Sequence, residues 1–266
     1  MGYGPPQVVE SQPRQALPYG LFSVLDFRNA SDPHWANGIE WESMTCAPAS
    51  GIEDPDCETF LPEDEGGGGF EKFFTSVVRG SAVGFTVYGS DTCGIPGASA
   101  FRDAEENATA HLLTREEGQA EAAVWRRLAS QATDVHPSGA VSPSRALGLL
   151  EKWMGGVYGS LGVIHADREA ATMLDTHLER EGSRLVTEIG TPFVAGGGYP
   201  GTSPAGAATP DVAWMFASPA LFGYRGEVFS ERVIDQRNND VYALAERQYV
   251  VGFDPCGVAA VRMTLA

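Results

Sequence analysis

The chain has 266 residues, of which 43% are hydrophobic, and a formal net charge of −17 at pH 7. This length suits one large domain or two small ones, and the apolar fraction allows a core of useful size. The acidic balance excludes a protein that wraps nucleic acid, because such proteins need clustered Lys and Arg to displace counterions. No stretch approaches the ~18 uninterrupted apolar residues of a membrane span. We therefore expect neither sequence-specific nucleic acid nor a membrane as a partner.

The N-terminal residues 1–20 are rich in Pro, Gly and Gln and lack the apolar segment of a signal peptide, so we expect synthesis in a cytoplasm. Their prolines oppose a helix, which predicts an extended arm that either becomes ordered by lying on a neighbour or stays disordered. Residues 21–27 then alternate well enough for a strand. The pair Asn37-Gly38 is a strong signal for a tight turn.

Residues 46–69 form an acidic, loop-like stretch that ends in a run of glycines. No Lys-Ser/Thr follows this run, so it is not a phosphate-binding loop. Residues 83–88 are a good strand candidate because they combine β-branched and aromatic side chains.

The longest helical pattern spans residues 104–132. The apolar face that we predict for it comprises Leu113, Ala120, Val124 and Leu128, with Trp125 and Ala129 beside them. The opposite face carries Glu116, Glu117, Glu121, Arg126 and Arg127. Such a charged face is most simply solvated or in polar contact with another subunit.

A linker at residues 136–143 leads to a second helix, since Ser142 can cap it and Pro143 suits its first turn. This helix is predicted to stop at Gly155-Gly156. A buried strand at residues 161–165 follows, and then Asp167 can cap a third helix. The apolar face of that helix contains Ala170, Met173, Leu174, His177 and Leu178.

Gly182 suits a left-handed cap at the end of the third helix. Beyond it, residues 184–186 and 193–195 are predicted as short strands. Residues 200–211 are a loop, and residues 212–216, 220–224 and 228–233 are further strands. Residues 240–247 are mostly helix-forming, and residues 248–253 and 257–264 are predicted to make a final strand pair.

The four cysteines are Cys46, Cys57, Cys93 and Cys256, and they contain no CxxC pair. The spacing of the histidines does not match a zinc finger. Two interpretations remain for these thiols: they are free and partly buried, or Cys46 and Cys57 close their loop as a disulfide in an oxidising medium.

A metal site would require His165, Asp167, Glu169 and His177 to converge, and we expect these residues to be structural instead. No Gly-x-Ser-x-Gly motif and no strand–GxGxxG–helix unit is present. The alternating aromatic residues in the late strands are predicted to be core and not a ligand platform; they are Trp214, Phe216, Phe222 and Tyr224. We therefore assign no catalytic, cofactor-binding or metal-binding residue.

Three phrases of the sequence carry a resemblance to a known family. Residues 161–165 (LGVIH) precede a helix, residues 185–194 read LVTEIGTPFV, and residues 246–254 read ERQYVVGFD. With the order of the predicted elements, these phrases resemble tailed-phage capsid proteins of the HK97-like fold.

The resemblance implies an α+β fold with five parts. These are an N-terminal arm (residues 1–20), an extended loop or β-hairpin region (21–100), a peripheral domain with a long spine helix (101–139), an axial domain (140–215), and β-strands that return to the peripheral domain (216–266).

The resemblance further implies a non-enzymatic virion protein without a cofactor, made in the host cytoplasm, that self-assembles into the head shell. Its partners would be copies of itself, as hexamers and pentamers or rings, and other virion proteins such as decoration or portal proteins. The acidic loop between Cys46 and Cys57 departs from the family pattern. A minor capsid protein, a head–tail connector and a tail structural or receptor-binding protein therefore stay open. A hydrolase using His165 or His177 is the alternative from another class.

Overall fold

The computed structural model describes residues 15–28, 32–43, 46, 77–94, 104–202 and 210–265. The helices within these ranges are α1 (Ala104–Gln131), α2 (Pro143–Trp153) and α3 (Arg168–Met173). The strands are β1 (Asp26–Arg28), β2 (Ile39–Ser43), β3 (Val78–Ala82), β4 (Phe85–Gly94), β5 (Ala132–Asp134), β6 (Val163–Asp167), β7 (Leu178–Glu181), β8 (Arg184–Thr187), β9 (Pro192–Gly196), β10 (Val212–Ser218), β11 (Leu221–Arg225), β12 (Phe229–Asp235), β13 (Asp240–Phe253) and β14 (Val258–Thr264). None of the helices in these ranges is long and apolar enough to cross a membrane.

A five-stranded sheet is built around β13. On one side β13 pairs with β12 and β11, and β1 pairs in parallel with β11; on the other side β13 pairs with β4. The prediction of helix-forming character for residues 240–247 is wrong as a guide to structure, because these residues belong to the strand. Val241, Ala243 and Ala245 are buried while Tyr242 and Leu244 are exposed. This two-residue alternation outweighs helix propensity, which is a weak preference.

A seven-stranded sheet has the order β5-β14-β10-β6-β9-β8-β7. Its central strands are buried on both faces, which explains the continuous apolar runs in their sequences. One face packs on α2 through residues such as Ile164 and Phe193. The other face packs on α1 through residues such as Val194 and Phe216. This sheet therefore lies between two helices.

Helix α1 connects the two sheets, and its predicted position is confirmed. Its N-terminal half buries Ala108 and Leu112 against the five-stranded sheet. Its C-terminal half buries Val124 and Leu128 against the seven-stranded sheet. The predicted apolar face is wrong at Leu113, which is 52% exposed.

The charged face of α1 is also corrected by the structure. Glu116 and Glu121, predicted to be solvated or in polar contact with another subunit, are buried within the chain. Arg126 is exposed as predicted. Arg127 is partly buried, because its guanidinium donates hydrogen bonds to the backbone oxygens of Val251 and Ser81, each at 2.6 Å.

Several predicted boundaries differ from the structure. A 3-10 turn (Leu21–Ser23) and β1 replace the single strand expected at residues 21–27. Asn37 ends a 3-10 helix (Pro33–Asn37) and is not in a hairpin turn. After α2 the chain continues as a π-helical turn (Met154–Tyr158), so the helical segment ends at Gly159, whose φ is +67°, and not at Gly155-Gly156.

The third helix is shorter than predicted. It ends at Met173, which is exposed, and a 3-10 turn (Asp175–His177) leads directly into β7. Leu178 is therefore a strand residue. Gly182 has the predicted left-handed backbone, with φ +62°, but it lies in the turn between β7 and β8 and caps no helix.

The last two strands lie in different sheets, so the predicted final strand pair is wrong. β13 belongs to the five-stranded sheet and β14 to the seven-stranded sheet. The connection between them, residues 254–257, contains Cys256, which forms a disulfide with Cys46. This pairing replaces the Cys46–Cys57 bond considered from the sequence. Cys57 itself lies outside the described residues.

Candidate functional site

His165 lies in β6 and has no solvent-exposed surface. Its Nδ1 is 2.9 Å from the hydroxyl of Tyr199, and its Nε2 is 2.9 Å from the hydroxyl of Ser218. The Ser218 hydroxyl donates to the backbone oxygen of Pro219, so it accepts from Nε2–H. Tyr199 therefore donates to Nδ1. Both ring nitrogens are satisfied within the protein.

The protonation states of this network follow from its burial. Burial lowers the pKa of His165 to about 3, so the imidazole is neutral. Burial also raises the pKa of Tyr199 well above its ordinary value, which keeps its hydroxyl as the donor. The ring of Tyr199 packs 4.9 Å from the ring of Trp125 on α1. The network thus joins β6, β10 and α1, and neither His165 nor Ser218 has solvent-exposed surface.

The other residues of the suspected metal site do not converge with His165. The carboxylate of Asp167 caps α3 as predicted, accepting from the backbone N–H of Ala170 at 2.8 Å. His177 lies 3.8 Å from Glu188 at the surface. Among the described residues, no three His, Cys, Asp or Glu side chains are grouped so that they could hold a metal ion.

Two carboxylates of α1 hold the segment that enters β1. Glu121 accepts from the backbone N–H of Leu21 at 2.9 Å and from that of Gly198 at 2.6 Å. Glu117 accepts from the backbone N–H of Phe22 at 2.8 Å. Burial raises the pKa of Glu121 to about 7 and also raises the pKa of Glu117.

The described part of the predicted arm lies on its own subunit. The backbone oxygen of Tyr19 accepts from the N–H of Ala195 in β9 at 2.9 Å. The oxygen of Pro18 accepts from Arg168 at 3.1 Å. Pro18 and Tyr19 are therefore held by contacts within the chain, which the sequence did not predict. The rest of the arm lies outside the described residues.

The second buried carboxylate of α1, Glu116, contacts the five-stranded sheet. It forms an ion pair with Arg247 at 2.7 Å and accepts from the hydroxyl of Tyr249 at 2.8 Å. Burial is the main reason that the pKa of this tyrosine rises above its usual range. Since both partners lie on β13, this cluster fixes α1 across the sheet.

The five-stranded sheet presents an apolar surface on the face away from α1. We call this surface the outer sheet face. It spans three strands, since Val233 of β12 pairs with Tyr242 of β13, and Tyr242 pairs with Thr92 of β4. Its large apolar residues are each more than a third exposed and comprise Tyr88, Phe229, Val233, Tyr242 and Leu244. On the same face Glu246 lies between Tyr88 and Phe229, and Glu231 lies beside Leu244, so the apolar side chains are interspersed with carboxylates. Exposed apolar residues bordered by polar ones are typical of interaction surfaces.

The predicted β-hairpin consists of β2 and β3, which pair antiparallel from Ile39↔Ala82 to Ser43↔Val78. It lies against the five-stranded sheet. The ring of Trp41 meets the ring of Phe222 edge-on, with centroids 5.0 Å apart. The predicted acidic loop between the two strands lies outside the described residues.

The late aromatic residues have mixed positions. Phe216 is fully buried, and its ring lies 4.6 Å from that of Trp125. Tyr224 is partly buried and stacks on Trp35. Phe222 is partly buried beneath Trp41 and also lies under the guanidinium of Arg28. The prediction that these rings serve packing is confirmed for Phe216. Trp214 is partly buried and packs against the same core cluster as Phe216, while Phe222 and Tyr224 are only partly buried on β11.

Comparisons with known proteins give similarity in structure. No family model and no curated protein matches the sequence. The chain is similar to the capsid of the empty GTA particle, with TM-score 0.57 and 12% identity over 98% of this chain and 95% of that chain. It is similar to the capsid of Ralstonia phage GP4, with TM-score 0.55 and 9% identity over 98% of this chain and 95% of that chain.

The same fold occurs in an encapsulin. The chain matches the holo-SrpI encapsulin complex from Synechococcus elongatus PCC 7942 with TM-score 0.55 and 10% identity, over 99% of this chain and 94% of that chain. These similarities show the fold of the chain. It is the HK97-like α+β fold, as the sequence predicted.

Sequence reasoning missed the buried carboxylates of α1 and the disulfide partner of Cys46. Glu117 and Glu121 are one helical turn apart, a spacing equally typical of a solvated face. Their partners are backbone groups about 100 residues away in the chain, at Phe22 and Leu21. Backbone groups leave no pattern in the sequence. The sequence therefore contains no pattern from which these contacts could be predicted.

Proposed function

We propose that the chain is a virion structural protein, a phage capsid subunit that self-assembles into the head shell. One observation carries this proposal: the similarity to two capsid subunits spans nearly the whole of both chains. The hairpin, the long α1 and both sheets are therefore all included in the match. A function carried by a local site would require similarity only around that site, whereas a shell subunit uses its whole surface.

The parts of the subunit follow from the same proposal. We assign residues 1–20 to the arm, 21–100 to the extended hairpin region, 101–139 to the peripheral domain with α1 as spine helix, and 140–215 to the axial domain. Residues 216–266 return to the peripheral domain, except that β14 pairs within the sheet that contains β6 and β10. This assignment places α1 where the two domains meet.

The outer sheet face supports repeated contact between subunits. Its apolar side chains would be removed from water by a neighbour, and many modest contacts of this kind stabilise a closed shell. Copies of the chain, arranged as hexamers and pentamers or rings, are the main partners in this proposal. Decoration and portal proteins would be further partners. The subunit would be made in the host cytoplasm and would function in the virion without catalysis.

Self-assembly is tested with the purified chain by negative-stain microscopy and sedimentation velocity over a range of salt and protein concentrations. We expect closed particles of uniform size. Persistent monomers under every condition would contradict the proposal, and single small rings would favour a head–tail connector.

The contact surface is tested with two substitutions at one position. Val233→Glu places a charge in the outer sheet face and should strongly reduce particle yield. Val233→Thr keeps the β-branched shape without a charge and should reduce it much less. The far-UV circular dichroism and melting temperature of the monomer should be similar in both variants, because Val233 is exposed. Equal particle yields from the two variants would show that the outer sheet face makes no contact between subunits.

A second candidate is a shell subunit outside any virion, and the similarity to the encapsulin complex favours it. The two candidates differ in where the protein is found. Mass spectrometry of purified, DNA-containing particles from a lysing culture should detect peptides of this chain if it is a virion protein. Particles that contain the chain but no genome would favour the second candidate.

A further inference from the structure

The Cys46–Cys256 disulfide joins two parts of the fold that have separate packing. Cys46 lies three residues beyond the end of β2, and its sulfur is 3.3 Å from the hydroxyl of Ser43. Cys256 lies in the connection that takes the chain from β13 in one sheet to β14 in the other. The bond therefore attaches the β2–β3 hairpin to the junction of the two sheets.

The Cys256 end of the bond is a fixed point. Cys256 packs against the apolar core between the seven-stranded sheet and α2. Phe253 before it and Val258 after it are both buried. Movement of Cys256 would require both β13 and β14 to shift. When the disulfide is broken, we therefore expect the hairpin to move and not Cys256.

The described strands of the hairpin leave much of their surface exposed. Three of the five residues of β3 are exposed. In β2, two of the five residues are exposed, and they alternate with partly buried ones. The ring of Trp41 packs on that of Phe222, Ala82 is buried, and Arg127 donates a hydrogen bond to the backbone oxygen of Ser81. The packing of the hairpin on the five-stranded sheet also costs free energy, because Trp41 Nε1–H is buried without an acceptor among the described residues.

We propose that Cys46 and Cys256 form a thiol–disulfide latch, which fixes the β2–β3 hairpin on its own subunit when oxidised and releases it when reduced. The geometry of the subunit carries this inference, and it does not depend on the subunit's forming a shell. A released hairpin could move away from Phe222, and Trp41 Nε1–H would then reach water. The latch thus sets which of two hairpin positions is populated.

The chemistry is thiol–disulfide exchange with a small-molecule disulfide such as oxidised glutathione. The thiolate of one cysteine attacks a sulfur of the small disulfide and displaces one small thiol, forming a mixed disulfide. The second cysteine thiolate then attacks the mixed disulfide and displaces the other small thiol. Two protein thiols are oxidised to one disulfide, and one small disulfide is reduced to two thiols. Cys46 and Cys256 are both partly buried and not enclosed, so a small thiol can reach them.

The pairing is tested first. The chain is equilibrated with oxidised glutathione, digested without reduction, and mapped by mass spectrometry. We expect a cross-linked peptide containing Cys46 and Cys256. A Cys46–Cys57 peptide in its place would overturn the proposal.

The release is tested by hydrogen exchange of the backbone amides of β2 and β3, before and after reduction with dithiothreitol. We expect hairpin amides to exchange faster by about tenfold or more after reduction, while α1 keeps its protection. Cys46→Ser and Cys256→Ser should exchange at the fast rate with or without reductant. The matched controls, Cys57→Ser and Cys93→Ser, should respond to reductant as the unsubstituted chain does.

Two results would overturn the latch. Unchanged hairpin exchange after reduction would mean that the noncovalent contacts alone hold the hairpin. Simultaneous loss of protection in α1 would mean that the bond stabilises the whole fold and not the hairpin position. Both results come from the unsubstituted chain, so the test does not depend on a serine variant that folds.

Discussion

At the scale of single residues, His165 should make the stability of the protein depend on pH. Its pKa in the folded protein is about 3, against an ordinary value of 6.5 in the unfolded chain. The unfolded chain therefore binds the proton first on acidification. The contribution of His165 is fully present above about pH 6.5 and is lost as the pH falls toward 3, by up to about 1.4 kcal/mol per pH unit.

The measurement is the free energy of unfolding in urea at several pH values between about 7.5 and 5. His165→Gln should remove this loss, because glutamine does not titrate, and should leave only the opposite contribution of Glu121, whose pKa is raised in the folded protein. The variant should also be less stable at neutral pH by about 1–3 kcal/mol, since Tyr199 and Ser218 lose well-placed partners. An unchanged pH dependence in the variant would contradict the assignment.

Glu121 should act in the opposite direction. Its pKa is raised from 4.5 to about 7 in the folded protein, with burial as the largest cause. The folded protein therefore binds this proton first, and stability rises as the pH falls from about 7 toward 4.5. Glu121→Gln should abolish this rise and expose the steeper loss caused by His165. A variant with the same profile as the unsubstituted chain would show that Glu121 is ionised throughout this range.

At the scale of elements, α1 shows how far the sequence alone leads. Its position and length were predictable from the helical pattern, and Ala120, Val124 and Leu128 are buried as predicted, but the face was placed wrongly at Leu113. The buried residues recur every four positions as Leu112, Glu116 and Ala120. The charged Glu116 interrupts the apolar row, so Leu113 appeared to continue it from Ala120. Glu116 is buried because of Arg247, 131 residues away, which no local pattern reveals.

This correction predicts a difference between two neighbouring leucines. Leu112 has no exposed surface and Leu113 is 52% exposed, so the same truncation should have different effects. Leu112→Ala should lower the free energy of unfolding by about 2–5 kcal/mol through loss of packing and creation of a cavity. Leu113→Ala should change it by less than about 1 kcal/mol. Urea denaturation of both variants gives the comparison, and a larger loss at Leu113 would reverse the orientation of α1.

The strands show a similar division. Residues 212–216 and 220–224 were predicted as strands from their apolar runs and are β10 and β11 with small changes in their ends. The placement of β13 and β14 in different sheets could not be predicted, because consecutive strands with a short connection usually pair with each other. Here residues 254–257 cross between two sheets, and Cys256 is bonded to Cys46 at a sequence separation of 210. Contacts at such separations depend on the whole fold.

At the scale of the whole molecule, the resemblance identified the fold because it rests on the order of elements, which survives when individual residues do not. The capsid subunits share only 9–12% identity with this chain. Burial of the central strands and of α1 requires apolar character at alternating or four-residue spacing, not particular residues. Candidate sites depend on particular side chains in three dimensions. For that reason the fold could be predicted from the sequence, whereas the contacts of the buried carboxylates could not.

The net charge of −17 makes a final prediction about the assembled state. Subunits with this charge repel one another, and the repulsion extends over about 30 Å at 0.01 M salt but only about 8 Å at 0.15 M. The apolar contact that we propose for the outer sheet face would not be weakened by moderate salt. The fraction of subunits in particles, measured by sedimentation velocity, should therefore rise as sodium chloride is increased across this range. Sucrose at matched osmolality should have a much smaller effect, because it does not screen charge. A fall in assembly with added salt would show instead that ion pairs, and not the apolar face, hold the subunits together.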